Sequence, residues 1–251
     1  MTVDEVRYER IGAAALVTID RQARRNAIDG KTADALVAAL ESFEADDDAR
    51  VMVLTGAGEA FCAGADLTAI ETLEPRARRG EGPLGFTRRV AAKPTIAAVD
   101  GWCVAGGLEL AVWCDIRVAS PRAQFGCLER RFGVPLIDGG TWRLPRIVGF
   151  GRAMDLVLTG RLVPCEEALA IGLVTAMVDD PVAHSLAMAE QFAAYPQETM
   201  LSDRRSMYDG YGHPLAEALE IEARYGSEVL LVGREGAARF ASGEGRGASG
   251  V

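Results

Sequence analysis

Residues 93–120 read KPTIAAVDGWCVAGGLELAVWCDIRVAS. Residues 94–100 form a short apolar run of small and β-branched side chains, the pattern of a strand. The glycine-containing stretch 101–107 then leads into an apolar helix over 108–113, and residues 116–119 return to strand. A strand, a glycine loop, a helix and a strand in succession predict an α/β fold with crossover connections.

The same alternation extends towards the N-terminus. Residues 13–19 (AAALVTI) read as a buried strand, 20–26 as a polar turn, about 32–45 as a helix and 51–54 as the next strand. A glycine-punctuated loop, TGAGEAFCAGADL, covers 55–67. Residues 72–90 are charged and interrupted by Pro75, Gly80, Gly82 and Pro83, which reads as a variable segment. Beyond Gly149 the pattern turns mainly helical, over 151–158, 165–171, 181–194 and 214–232, with one strand-like piece at 173–178. The Gly-, Ser- and Ala-rich stretch from Ala241 onward is expected to be poorly ordered.

The chain has 251 residues, 49% hydrophobic and 25% charged, which is the balance of a globular protein with a substantial core. Its 27 basic residues against 36 acidic ones argue against a surface that coats nucleic acid, because phosphate backbones require a basic stripe. Lys31 and Lys93 are its lysines, so anion contacts fall mainly to arginine. Five cysteines without a CxxC pair suggest reduced thiols and a cytoplasmic setting. His184 and His213 do not stand in metal-ligand spacing. The acidic opening Met-Thr-Val-Asp-Glu does not resemble a signal peptide, and no uncharged apolar stretch reaches the ~18 residues of a membrane span.

Two short loops carry the chemical interest: Phe61-Cys62-Ala63-Gly64-Ala65-Asp66 and Ala105-Gly106-Gly107-Leu108-Glu109. Small residues let a ligand approach the backbone, and a helix starting there directs free N–H groups outward, where they stabilise a developing oxyanion. Glycines that merely make turns are the competing reading. Neither loop matches a dinucleotide or triphosphate motif, which disfavours a dehydrogenase. Glu109 is the only carboxylate in residues 101–114. Desolvated there, it would have the raised pKa of a general acid or base; facing water, it would simply favour the helix N-terminus. Glu129 follows an apolar segment but precedes Arg130 and Arg131, so a buried carboxylate and a surface ion pair are both open.

FCAGADL, KPTIAAVDGWCVAGGLELAVWCDIRVAS, AQFGCLE, GGTWRLPRIVG and LTGRLVPCEEALAIGLV, in that order, resemble the crotonase, or enoyl-CoA hydratase/isomerase, superfamily. The resemblance implies a spiral of ββα units over residues 1–195 and a helical trimerisation region with a flexible tail over 196–251. It further implies an acyl-CoA thioester substrate, coenzyme A being part of that substrate rather than a cofactor, and a homotrimer or dimer of trimers. Carried over position by position, the backbone N–H groups of Ala65 and Gly106 fall on the oxyanion hole, and Glu109 and Glu129 on the two catalytic glutamates of the hydratases. Substrate contacts fall on Ala23, Arg24, Arg25, Ala63, Asp66, Leu67, Ala105, Ile137 and Phe240. A lysine often stands where Ala23 is, which shifts phosphate attraction to Arg24 or Arg25.

Three departures stand out. Ala105 occupies the first position of a stretch that is often three glycines, a mild change because Gly106 is kept. Ile137 and Asp138 stand where hydratases place a Pro-Gly, and Trp142 replaces a smaller or polar residue. Asp138 reads either as a group facing a polar or branched acyl chain or as a helix N-cap. The motifs thus favour a hydratase-like lyase, with double-bond isomerisation on the same scaffold and a catalytically silent acyl-CoA-binding paralogue as rivals.

Overall fold

The computed structural model describes residues 5–78 and 80–243. In chain order the first elements are β1 (Val6–Ile11), β2 (Ala14–Ile19), α1 (Gly30–Ala45), β3 (Val51–Gly56), β4 (Ala60–Cys62), β5 (Thr95–Val99) and β6 (Trp102–Val104). Then come α2 (Gly106–Trp113), β7 (Ile116–Ala119), β8 (Gln124–Gly126), α3 (Gly140–Val148), α4 (Phe150–Thr159), β9 (Val163–Pro164) and α5 (Cys165–Ala170). The chain continues through β10 (Ala176–Met177), α6 (Pro181–Ala193), α7 (Gln197–Gly210), α8 (Leu215–Glu228) and α9 (Leu230–Ala241).

Among the described residues the strands make two sheets, ordered β1-β2-β3-β5-β7-β10 and β4-β6-β8-β9. The pairs β3–β4, β5–β6 and β7–β8 each place one strand in the larger sheet and the next in the smaller, so successive strand pairs stack as a spiral. The stacked strands are parallel, with Val53 opposite Ile96, Ala98 opposite Val118 and Cys103 opposite Phe125. Burial explains the runs without alternation: every residue of β5 is buried, because both of its faces are covered. Helix α2 is likewise buried all round. It starts hard against β4, where a Cβ on Gly107 would lie 2.0 Å from the Cys62 carbonyl oxygen, so only glycine fits.

The chain divides into two compact units, Met1–Ala189 and Glu190–Val251, with the division inside α6, where the sequence reading sets it at 195/196. Both sheets belong to the first unit. In the second, α7 and α8 are joined by a hydrogen bond from the Tyr225 hydroxyl to Asp209 Oδ2 (2.5 Å). Met207 on α7, Leu219 on α8 and Leu231 on α9 are exposed.

Several elements differ from the sequence reading. β1 escapes it because this edge strand is half charged, and α7 because its polar residues leave no apolar stripe. The expected helix 214–232 is two helices, α8 and α9, broken at Val229. Of the strand-like 173–178, only Ala176–Met177 pairs into a sheet. The charged segment 72–90 contributes to the core. Leu84 and Phe86 are buried, Phe86 stacks on Trp113 with ring centroids 4.3 Å apart, and buried Arg76 donates from Nε to the Pro83 carbonyl (3.2 Å). Most of the tail expected to be poorly ordered lies outside the described residues.

Candidate active site

The site grows from the two glycine loops. Ile28 N–H donates to the Gly64 carbonyl and the Ile28 carbonyl accepts from Asp66 N–H, both at 2.8 Å, as an isolated parallel bridge. Such a bridge uses the groups on either side of Ala65, so the Ala65 N–H points the other way. Gly106 opens α2, and its N–H belongs to the first helical turn, which has no intrahelical acceptor. The two donors stand together: a Cβ built on Gly64 would lie 2.7 Å from Gly106 N, and one built on Gly106 would lie 3.6 Å from Ala65 N. Gly64 has φ +91°, a conformation open to glycine. The glycines therefore do more than turn the chain.

These donors face a cavity of about 460 Å³. Ala63, Ala65, Leu67, Ala105, Gly106, Glu109, Glu129 and Ile137 all line it, so the structure brings these expected residues to one place. Ile70, Leu73, Leu84, Leu128 and Phe132 complete a mainly apolar wall. Sequence reading missed this wall because its members are scattered over loops and 3-10 turns without a period.

Glu109 is 3% exposed, which overturns the water-facing alternative. Its Oε1 accepts from the backbone N–H of Asp138 (3.0 Å) and of Gly140 (2.7 Å). Burial, followed by the charges of Asp138 and Glu129, pushes its pKa up to about 8 against the pull of those two bonds. Glu129 is 6% exposed, and both of its carboxylate oxygens are buried without a hydrogen-bond partner in the protein. Burial raises its pKa as well. It is not the surface ion pair that the neighbouring arginines suggest. Arg130 Nε donates to the Val157 carbonyl (3.3 Å) and Arg131 Nη2 to that of Gly160 (3.2 Å). A carboxylate with raised pKa and unmet acceptors in an apolar cavity is poised for proton exchange.

Other expected contacts stand elsewhere. Ala23, Arg24 and Arg25 are exposed and outside the cavity lining, although Ala63 N–H donates to the Arg25 carbonyl (3.1 Å) and ties their turn to the site. The Asp66 carboxylate accepts from Thr68 N–H (3.0 Å) and the Thr68 hydroxyl (2.7 Å) and meets Arg21 Nη2 at 3.3 Å. Burial works to raise the Asp66 pKa, but Thr68 and Arg21 hold it below the usual range. Phe240 lies on α9 in the second unit, exposed. Asn26 was missed: its side chain donates to the carbonyls of Ala57 (2.9 Å) and Ala60 (2.5 Å), fixing the base of the first glycine loop.

The three departures resolve differently. Asp138 does not cap α3, whose N-cap is Gly139; its carboxylate instead accepts from Leu84 N–H (3.0 Å) and the Thr87 hydroxyl. Trp142 does not line the cavity and stacks under Arg146, 4.0 Å from the guanidinium carbon to the ring centroid. Ala105 is not a mild change, because it sits at φ 53°, ψ −128°, a region normally left to glycine. Strain of about 1–3 kcal/mol there, less the entropic cost of a glycine, predicts that Ala105→Gly stabilises by about 1 kcal/mol. Thermal unfolding should show this as a midpoint rise of about 2–4 °C, and a lower midpoint would refute the strain.

Among the described residues no group of three or more His, Cys, Asp or Glu side chains is placed to hold a metal ion. The five cysteines are free and buried, and burial raises all five thiol pKa values, which makes them poor nucleophiles. No helix among the described residues is long and apolar enough to cross a membrane.

A family model described as enoyl-CoA hydratase/isomerase matches residues 9–242. The chain belongs to this family. Its crotonase-like ββα spiral and helical C-terminal region are those the sequence motifs imply. Among enoyl-CoA hydratase/isomerase relatives, a probable enoyl-CoA hydratase, echA14 of Mycobacterium tuberculosis (strain CDC 1551 / Oshkosh), is 38% identical over 221 residues, 82% of this chain and 86% of the relative. The short-chain-enoyl-CoA hydratase of Clostridium acetobutylicum is 40% identical over 184 residues, 71% of this chain and 70% of its own. The crystal structure of enoyl-CoA hydratase EchA1 from Mycobacterium marinum superposes with a TM-score of 0.90 at 34% identity, covering 96% of both chains.

Proposed function

We propose that this chain is an enoyl-CoA hydratase-like lyase, which adds water to the double bond of a 2-enoyl-CoA thioester or removes it from the hydrated product. The observation that carries the reading is the convergence of two buried glutamates, Glu109 and Glu129, on one apolar cavity beside two backbone donors. The names of the relatives point to the same reaction.

In this reading the thioester carbonyl oxygen accepts from the N–H groups of Ala65 and Gly106. As water adds to C3, negative charge grows on that oxygen, where the donors and the positive end of α2 stabilise it. Glu109 orients the water and takes its proton; Glu129 delivers a proton to C2. Hydration therefore needs one ionised and one protonated carboxyl. Burial raises the pKa of both, that of Glu109 to about 8, so at neutral pH the free site keeps a proton on Glu109. Turnover needs that proton shifted to Glu129, and the backbone N–H groups of Asp138 and Gly140 support the charge this leaves on Glu109. After addition, proton exchange between the carboxyls or with solvent restores the pair.

Coenzyme A enters as part of the substrate, and the reaction so read draws on no separate cofactor. Its phosphates fall to the exposed Arg24 and Arg25 of the turn tied to Ala63, with Asp66 and Leu67 as further coenzyme A contacts, as the motifs imply. A homotrimer or dimer of trimers and a cytoplasmic setting complete the reading, the second supported by the five free thiols. Purified protein mixed with a short 2-enoyl-CoA should bleach the absorbance of the conjugated thioester. Conversion of 3-enoyl-CoA without hydration would replace the hydratase by an isomerase, and CoA-ester binding without turnover by a silent paralogue.

A further inference from the structure

The hydratase reading gives Asp138 no part, yet this residue meets the site at both ends. Its backbone N–H donates to Glu109 Oε1 (3.0 Å), while its carboxylate Oδ1 accepts from Leu84 N–H (3.0 Å) and from the Thr87 hydroxyl. Asp138 is 3% exposed, so these bonds are made away from water. Arginines reinforce the same junction: Arg143 donates to the carbonyls of Thr87 (2.7 Å) and Asp138 (3.0 Å), and Arg88 Nη2 to that of Ile137 (2.9 Å). Leu84 in turn lines the cavity, with its Cδ1 2.4 Å from the position that a Cβ on Gly106 would take. It fills the space beside the Gly106 donor.

We propose that Asp138 is a positioning residue for the acyl site: its carboxylate ties the Leu84–Thr87 turn to the loop that orients Glu109. One side chain thereby sets both the wall next to Gly106 and the seat of the glutamate. The tether requires an acceptor at Oδ1 rather than a charge. Asparagine can supply that acceptor; alanine cannot, and it leaves the Leu84 N–H buried without a partner.

The kinetic part of this inference rests on the hydratase reading, so the test has two arms, both on the full chain. Wild type, Asp138→Ala and Asp138→Asn are compared for kcat and KM on a short 2-enoyl-CoA and for amide hydrogen exchange over residues 83–88. Displacing a group that aligns reacting atoms costs rate more than binding, so Asp138→Ala should lower kcat at least ~tenfold with KM within about threefold. Its Leu84 amide should exchange at least ~tenfold faster, as expected for a lost buried hydrogen bond. Asp138→Asn keeps the acceptor, so its Leu84 amide should exchange within about threefold of wild type, and so should its kcat when each enzyme is measured on its own pH plateau; removal of the Asp138 charge shifts only the Glu109 limb of the pH profile, downward. A lower melting temperature with unchanged kcat would overturn the proposal, and so would an asparagine variant as impaired as the alanine one. Should wild type hydrate no 2-enoyl-CoA, the reaction assignment fails alone. The exchange arm then decides the tether: fast exchange in alanine and slow in asparagine supports it, and no difference overturns it.

Discussion

Glu129→Gln will slow hydration of a short 2-enoyl-CoA at least ~hundredfold, the usual worth of a positioned general acid or base. The amide has the size and shape of the carboxyl but cannot deliver a proton to C2. Neither oxygen of Glu129 has a hydrogen-bond partner in the protein, so the substitution breaks no bond that holds the fold. Thermal stability should therefore be unchanged or higher, because an ionisable group has been removed from an apolar cavity. Stopped-flow or steady-state absorbance measures the rate, and circular dichroism melting the stability. A variant that keeps more than about a tenth of wild-type turnover would exclude Glu129 as the proton donor, given the size of such effects.

Gly64→Ala should also cost at least ~hundredfold in kcat, by a different route. The two donors proposed to hold the oxyanion are backbone groups and cannot be mutated away, but the geometry that aligns them can be spoiled. At φ +91° an alanine is strained, and its Cβ would stand 2.7 Å from Gly106 N. That neighbour is backbone and cannot swing aside, so the Ala65 and Gly106 N–H groups must separate. Loss of a single oxyanion donor costs about 10²–10³ in rate, and the strain itself about 1–3 kcal/mol of stability. Gly172→Ala separates the two effects. Gly172 has φ +77° with nothing within 4 Å of the added Cβ, and it is not a cavity residue. It should lose stability and keep wild-type kcat per folded molecule. Equal kcat losses in the two variants would show that strain alone, and not donor alignment, is at work.

Much of the site was legible because its chemistry sits in short contiguous motifs. FCAGADL and AGGLE carry both donors and one glutamate, and GCLE the other, so order along the chain placed them before any coordinate did. The apolar wall was not legible. Leu73 and Leu84 belong to a segment whose charges and prolines read as variable, and their burial follows from where α1, α2 and the loop at Asp138 stand. The strain at Ala105 was equally hidden, since a single methyl reads as a small change until its φ is known.

The sequence by itself determined the α/β class and the alternation of strands with crossovers, because continuous apolar runs and glycine loops are local features of the chain; the pairing of the strands and the choice of the two glutamates came from the family motifs. Tertiary structure decided the rest. Glu109 became a buried carboxylate rather than a surface one, Glu129 was left without the arginine partners beside it in sequence, and Asp138 turned to Leu84 and Thr87 instead of capping a helix. Each of those outcomes depends on groups 29 to 54 residues away or on neighbours drawn off elsewhere, as the spacing of the bonds at Asp138 shows. Burial and pairing are properties of the surroundings, and a carboxylate acquires its chemistry only when distant parts of the chain close around it.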